Sequence, residues 1–268
     1  MSKALQSRKN RSILNVNTAQ DATSQVSLFC LPFAGGSAQY YKSWGQEDLG
    51  PLSAYAIELP GRGFRLRDPL VADLHDLIHA LTDTLSNTLT PPFALFGHSL
   101  GALLAFEVTR ALEKSGGPLP VHLFLSACRA PHVPRRIRPW HDLPEDDLIA
   151  KVVKLNGTSP ESLEDPDIRA MMIPVFRTDF RLGEEYNYVP LAPIKIPISV
   201  FGGTSDPLVQ PEELKAWSEH TSDFRGCHLF PGGHFYLNTH ASDVISTIRA
   251  GLASDLAPDS PPKVSNAL

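Results

Sequence analysis

Cysteine is scarce. Cys30, Cys128 and Cys227 are an odd number without paired spacing, which excludes a disulfide framework and makes a reducing, cytoplasmic setting the expectation. No apolar run approaches the roughly 18 residues of a membrane span. Positive charge is not in excess either. The 24 Lys and Arg residues against 29 Asp and Glu give a net charge of -5, so no broad nucleic-acid-binding face is expected. What remains is ordinary for a globular chain: 268 residues, 42% hydrophobic and 20% charged, enough to bury a core without staples. Proline is plentiful, at 24 residues, which marks defined loop ends and disfavours long uninterrupted helices.

The two ends read as tails. Residues 1–24 carry Lys3, Arg8, Lys9 and Arg11 with no apolar stretch after them, so a secretory signal is excluded. A plain disordered extension is expected there, with a mitochondrial transit peptide as the other reading. Residues 254–268 are proline-rich with little to bury, and read as a disordered tail.

Between the tails, short apolar runs alternate with amphipathic ones. Strands are expected at residues 26–31, 54–59, 93–96, 121–127, 196–201 and 227–230, and helices at 73–87, 100–114 and 244–252, with another starting at Pro211. Continuous rather than alternating apolar strands imply a mostly parallel α/β sheet covered on both faces. Residues 25–134 and 191–253 form that core. Residues 135–190 hold no convincing strand, only two helical stretches, 144–155 and 167–182, the second broken or kinked at Pro174. The segment is too long for a simple crossover; extra packing and a lid over a site at the strand ends are its two readings, of which the lid is preferred.

The chemistry gathers at strand ends. Gly97-His98-Ser99-Leu100-Gly101 matches G-x-S-x-G between an apolar strand and a helix. A sharp strand-to-helix elbow of this kind lifts a serine hydroxyl out at the end of a sheet, beside the positive end of the following helix. A serine needs a base, and the order Ser, acid, His is supplied by Asp206 after one strand and His234 after the next. His234 would accept the Ser99 proton while Asp206 holds the imidazole. The rival acids Asp223, Glu212 and Glu213 read as solvated surface. Two donors for an oxyanion are expected from the backbone N–H of Leu100 and of Ala34, in the loop Pro32-Phe33-Ala34-Gly35-Gly36; a mere turn is the other reading of that glycine pair.

Other groups read as bystanders. His98 points away from its neighbour and packs. His75 and His79 make a surface pair rather than a metal site, since the sequence between them is not H-E-x-x-H and no third ligand is near. Pro60-Gly61-Arg62-Gly63 contains G-x-G, but Leu66 stands where a dinucleotide loop needs its third glycine.

Taken together, LPFAGGSAQYYKSW, IELPGRGFR, FALFGHSLGALLAFEV, LFLSACRAP, HDLP, IPVFRTDF, FGGTSDPLV and FPGGHFYL make the chain, over residues 26–252, resemble the type II thioesterases. Those are α/β-hydrolases that serve polyketide, nonribosomal-peptide and fatty-acid synthases. The resemblance implies an α/β-hydrolase fold and hydrolysis of acyl groups from the phosphopantetheine arm of an acyl or peptidyl carrier protein. It implies no cofactor, and no membrane or nucleic-acid partner. It matches Ser99, Asp206 and His234 to the family triad and residues 135–190 to the family lid. Leu100 stands where many members carry Met; only its backbone is used. Phe33, Met171, Met172, Phe176 and Phe180 are candidate acyl contacts, with core packing as the other reading of the lid residues. The basic cluster Arg129, Arg135, Arg136 and Arg138 is a candidate docking site for an acidic carrier, or a solvated loop. A carboxylester hydrolase, an acyltransferase and a catalytically silent binding module remain as alternatives on the same triad.

Overall fold

The computed structural model describes residues 12–17 and 25–256. Seven strands form one sheet: β1 (Ile13–Asn15), β2 (Val26–Leu31), β3 (Leu52–Ile57), β4 (Phe93–His98), β5 (Leu123–Ser126), β6 (Ile198–Gly203) and β7 (Phe224–Phe230). Their spatial order is β1-β3-β2-β4-β5-β6-β7. Only β1 runs antiparallel, at one edge; every other neighbouring pair is parallel.

The apolar strand runs follow from burial on both faces. Along β2, Phe29 and Leu31 enter one core while Leu28 and Cys30 enter the other; along β4, Phe93 and Leu95 part from Ala94 and Phe96 in the same way. On the first face lie α1 (Leu74–Ser86) and α2 (Leu100–Ser115), with Leu77, Leu81, Leu104 and Leu112 against the sheet. Asp73 starts α1 by accepting the Asp76 N–H, and Gly116, at φ +67, ends α2. The opposite face is covered by a 3-10 helix (Ala38–Gln46), which buries Tyr41 and Trp44, and by α7 (Leu237–Leu256), which contributes Val244, Ile248 and Leu252.

Between β5 and β6 the chain leaves the sheet to form α3 (Glu145–Lys154), α4 (Pro160–Glu164) and α5 (Pro166–Glu184); α6 (Pro211–Lys215) follows β6. The insertion has its own small core, built on Trp140, Leu148, Val152, Leu163, Ile173 and Phe176.

Three expectations are corrected. The segment 1–24 is not wholly outside the fold: Ile13–Asn15 pairs with Ile57, Ala56 and Tyr55, and Glu58 N–H donates to Ser12 O. That pairing covers the sheet edge, which three residues show too little pattern to predict. The rest of that segment lies outside the described residues. The C-terminal helix reaches Leu256, so the tail does not begin at 254: Asp255 accepts from His122 Nδ1 at 2.6 Å, and His122 Nε2 meets Ser199 Oγ at 2.9 Å. Lastly, Pro174 does not split its helix: α5 continues through it, where packing of Ile173, Val175 and Phe176 outweighs the lost backbone bond.

A histidine cluster beyond β5 gives a pH dependence. His132 Nδ1 lies 2.7 Å from His220 Nε2, and the Tyr188 hydroxyl lies 3.2 Å from His220 Nδ1. Trp217 and Phe106 pack on the same ring, with Glu219 and Arg110 the nearby charges. Burial first, then the charge of His132, pushes His220 down to about 4. An unfolded histidine titrates near ~6.5. Below that pH the unfolded chain binds a proton that the native chain refuses, so stability is full above ~6.5 and falls as pH drops towards the folded value. His98 shifts in the same direction, burial being the main cause. The urea midpoint is expected to fall between pH 7 and pH 5, and His220→Gln to shallow that fall. An unchanged slope in the variant would remove His220 from the account.

Candidate active site

The sheet and its loops bring the three sequence-nominated side chains to one end. Ser99 follows β4 with φ 55 and ψ -116, a conformation that L residues rarely adopt. Its N–H donates to Ser126 O on β5 at 2.8 Å, which pins the elbow to the neighbouring strand. The flanking glycines are required by space: a Cβ on Gly97 would sit 2.1 Å from Gly101 O, and one on Gly101 would sit 2.2 Å from Leu31 O. Helix α2 begins at Leu100 and aims its free N-terminal N–H groups into the site.

Asp206 lies in the turn after β6 and His234 in the loop after β7, both buried. Asp206 Oδ2 is 2.8 Å from His234 Nδ1, while its Oδ1 accepts the Leu208 N–H at 2.8 Å. A carboxylate only accepts, so Nδ1 of His234 carries the proton and Nε2 is left with a lone pair. Ser99 and His234 line the same cleft, of about 780 Å³ including its open mouth. Among the described residues no hydrogen bond joins the serine hydroxyl to the ring; contacts of this kind commonly tighten with substrate in place.

His98 sits behind the pair, its ring 5.2 Å from that of His234. Its Nδ1 meets Ser126 Oγ at 2.8 Å, and Ser126 Oγ meets the Tyr236 hydroxyl at 2.6 Å. Burial, reinforced by the His234 charge, holds the His98 pKa well below the ordinary histidine value, so this ring stays neutral beside His234.

Two apolar arms leave the serine. The larger is walled by Leu100, Leu103, Cys128, Ile137 and Trp140, and a smaller one by Phe33, Val152, Leu155 and Phe235; Ala34, Phe180 and Leu208 stand between them. Of the candidate acyl contacts, Phe33 and Phe180 are on these walls. Met171 is exposed, Met172 packs on the insertion's own core, and Phe176 is buried there against Gly35, so these three line neither arm.

The basic cluster is largely exposed but partly paired. Arg135 pairs with Glu184 at 3.2 Å, Arg136 with Glu213 at 2.7 Å, and Arg129 donates to Val133 O. All three line the cleft; Arg135 and Arg136 are nonetheless exposed, as is Arg138, which lines neither arm. Glu213, read from sequence as surface, is buried by that pairing. The most consequential omission is Arg62, which forms a buried ion pair with Asp179 on α5. The only signal for it was that P-G-R-G and F-R-T-D-F stand among the recurring motifs without a role. His75 and His79 are exposed on α1; His75 lies with Asp73 and Asp76 in a surface group, one of whose carboxylates is the helix cap.

Residues 26–252 match the model of the thioesterase domain family. The chain belongs to that thioesterase family. Gramicidin S biosynthesis protein GrsT of Aneurinibacillus migulanus is 32% identical over 94% of this chain and 98% of its own length. Linear gramicidin dehydrogenase LgrE of Brevibacillus parabrevis is 34% identical over 88% of this chain and 90% of its own. The solved structure of BorB, a type II thioesterase from the borrelidin biosynthetic cluster, superposes with a TM-score of 0.80 at 36% identity, covering 90% of this chain and 97% of BorB. This thioesterase is therefore a type II, serine-dependent hydrolase on an α/β-hydrolase fold, and it releases acyl or peptidyl chains from carrier proteins.

Proposed function

We propose that Ser99, His234 and Asp206 are the triad of this thioesterase and that the backbone N–H groups of Ala34 and Leu100 receive the oxyanion. The observation that carries this reading is the buried Asp206–His234 pair in one cleft with a serine on a strained elbow. Ser99 Oγ attacks the thioester carbon as its proton passes to His234 Nε2. The tetrahedral oxyanion faces two N–H groups that donate no other hydrogen bond among the described residues. Collapse breaks the C–S bond and expels the thiolate, a good leaving group because its thiol has a pKa near ~8.5; it takes the proton from His234 and leaves the imidazole neutral. Water, deprotonated by the same imidazole, then cleaves the acyl-serine and returns the enzyme.

Residues 135–190 act as a lid, with Phe33 and Phe180 touching the acyl chain and the exposed Arg135, Arg136 and Arg138 facing an acidic carrier, Arg138 as the one without an ion-pair partner among the described residues. The setting is cytoplasmic, in keeping with unpaired cysteines and with the absence, among the described residues, of a helix long and apolar enough to cross a membrane. The test is a panel of acyl-loaded carrier proteins beside matched thioesters and oxyesters. Specificity constants at least about tenfold higher for the thioester are expected from the better leaving group. Equal constants would favour a carboxylester hydrolase. Transfer to an added alcohol or amine in preference to water would favour an acyltransferase.

A further inference from the structure

The loop after β2 carries Ala34, and the direction of the Ala34 N–H depends on the peptides that follow it. Those peptides are held from a distance. Gly35 N–H donates to Asp179 Oδ2 at 2.7 Å, across 144 positions of sequence. Gly36 N–H donates to Phe33 O at 2.8 Å, and Gly36 O accepts from Arg62 Nη1 at 3.3 Å. Gly35 sits at φ +78 with the Phe176 ring where a Cβ would be. Asp179 is in turn gripped by both terminal nitrogens of Arg62, the Nη2–Oδ1 contact being 2.8 Å, and both side chains are buried.

A buried ion pair is weak evidence of stabilisation, because desolvation offsets most of the attraction. This pair has a position that suggests another use. Asp179 lies on the cleft wall beside Ala34 and Ser99. An unneutralised carboxylate there would oppose the negative charge that develops on the carbonyl oxygen. With Arg62 against it, the same carboxylate can fix the loop without that repulsion.

We propose that Asp179, neutralised by Arg62, is a positioning residue for the oxyanion loop: it engages the Gly35 N–H so that the Ala34 N–H is presented to the reacting carbonyl. This rests on Ala34 and Leu100 being the oxyanion donors. It also makes the seating of α5 part of the catalytic geometry, since Asp179 and Phe176 both reach the loop from that helix.

The test uses the full chain, an acyl thioester, a trifluoromethyl ketone that mimics the tetrahedral intermediate and an acyl amide that mimics only the ground state. Asp179→Ala is expected to lower kcat about 100-fold, the scale of losing one oxyanion donor, with KM within about threefold. Affinity for the ketone should fall in parallel and affinity for the amide should hold. Asp179→Asn keeps an acceptor for Gly35 N–H, so it should recover at least about tenfold of the lost kcat even where its melting temperature is no higher. Arg62→Lys keeps the charge but not the two-nitrogen grip and should lose about tenfold in kcat with the same ketone-selective pattern; it decides the matter should Asp179→Ala not fold.

Wild-type kcat in a folded Asp179→Ala, or in Arg62→Lys where that variant decides, would overturn the proposal. So would equal losses for ketone and amide, or kcat losses that simply follow melting temperature. Ser99→Ala run alongside separates the layers: if it stays active the triad reading fails, and if it is inactive while Asp179→Ala keeps wild-type kcat, only the positioning role fails.

Discussion

Ser99→Ala is expected to lower kcat by about 10,000-fold or more while leaving the fold intact. Alanine carries the same Cβ as serine, so the strained backbone at φ 55 is no worse in the variant. The hydroxyl does not cap α2 and makes no other hydrogen bond among the described residues, so its removal breaks no structural contact. What disappears is the nucleophile. A residual rate above that of water should persist, because the oxyanion donors and the cleft still hold the substrate. Single-turnover hydrolysis of an acyl thioester and labelling by a fluorophosphonate measure the two sides of this. A folded variant within tenfold of wild type, or one still labelled at the same rate, would remove Ser99 from the mechanism.

Asp206→Asn should cost roughly 1,000- to 10,000-fold in kcat, for a different reason. The Oδ1 atom of Asp206 accepts from Leu208 N–H, and that N–H will demand an acceptor in the variant too. The asparagine oxygen satisfies it, which turns the amide nitrogen towards His234 Nδ1. Two donors cannot face each other, so Nδ1 gives up its proton and Nε2 takes one. The ring is then in the tautomer that cannot accept the Ser99 proton. Binding of a non-hydrolysable acyl amide should be nearly unchanged, since the side chain is buried beneath the ring. Loss of less than tenfold in kcat would indicate that another acid orients His234; the other cleft carboxylates, Asp179, Glu184 and Glu213, are already committed to Arg62, Arg135 and Arg136.

Both predictions concern residues that were legible in the chain, and the reason is local. Apolar runs of strand length, ended by Gly-rich turns, place Ser99, Asp206 and His234 at the ends of strands from the sequence alone. Parallel connections carry all such ends to one edge of the sheet, so local signals converged on one site. The strands of the core and helices α1, α2, α3 and α5 were readable for the same reason: burial on two faces or on one stripe leaves a periodic trace. β1 left no such trace, being three residues whose place depends on β3.

Tertiary contact decided what periodicity does not encode. Phe176 and Phe180 are one helical turn apart and look equivalent along the sequence, yet one packs on Gly35 and the other walls the cleft. The docking angle of α5 separates them. Arg135 and Arg136 read as a basic face until Glu184 and Glu213 arrive from later in the chain to meet them. Arg62 and Asp179 stand 117 positions apart, in motifs that look unrelated. Residue type and local pattern are enough to place Ser99, Asp206 and His234 at strand ends, because a strand end is a local fact. The groups that hold the loop after β2 in place are defined by which distant charge they meet, and only the folded chain brings those charges together.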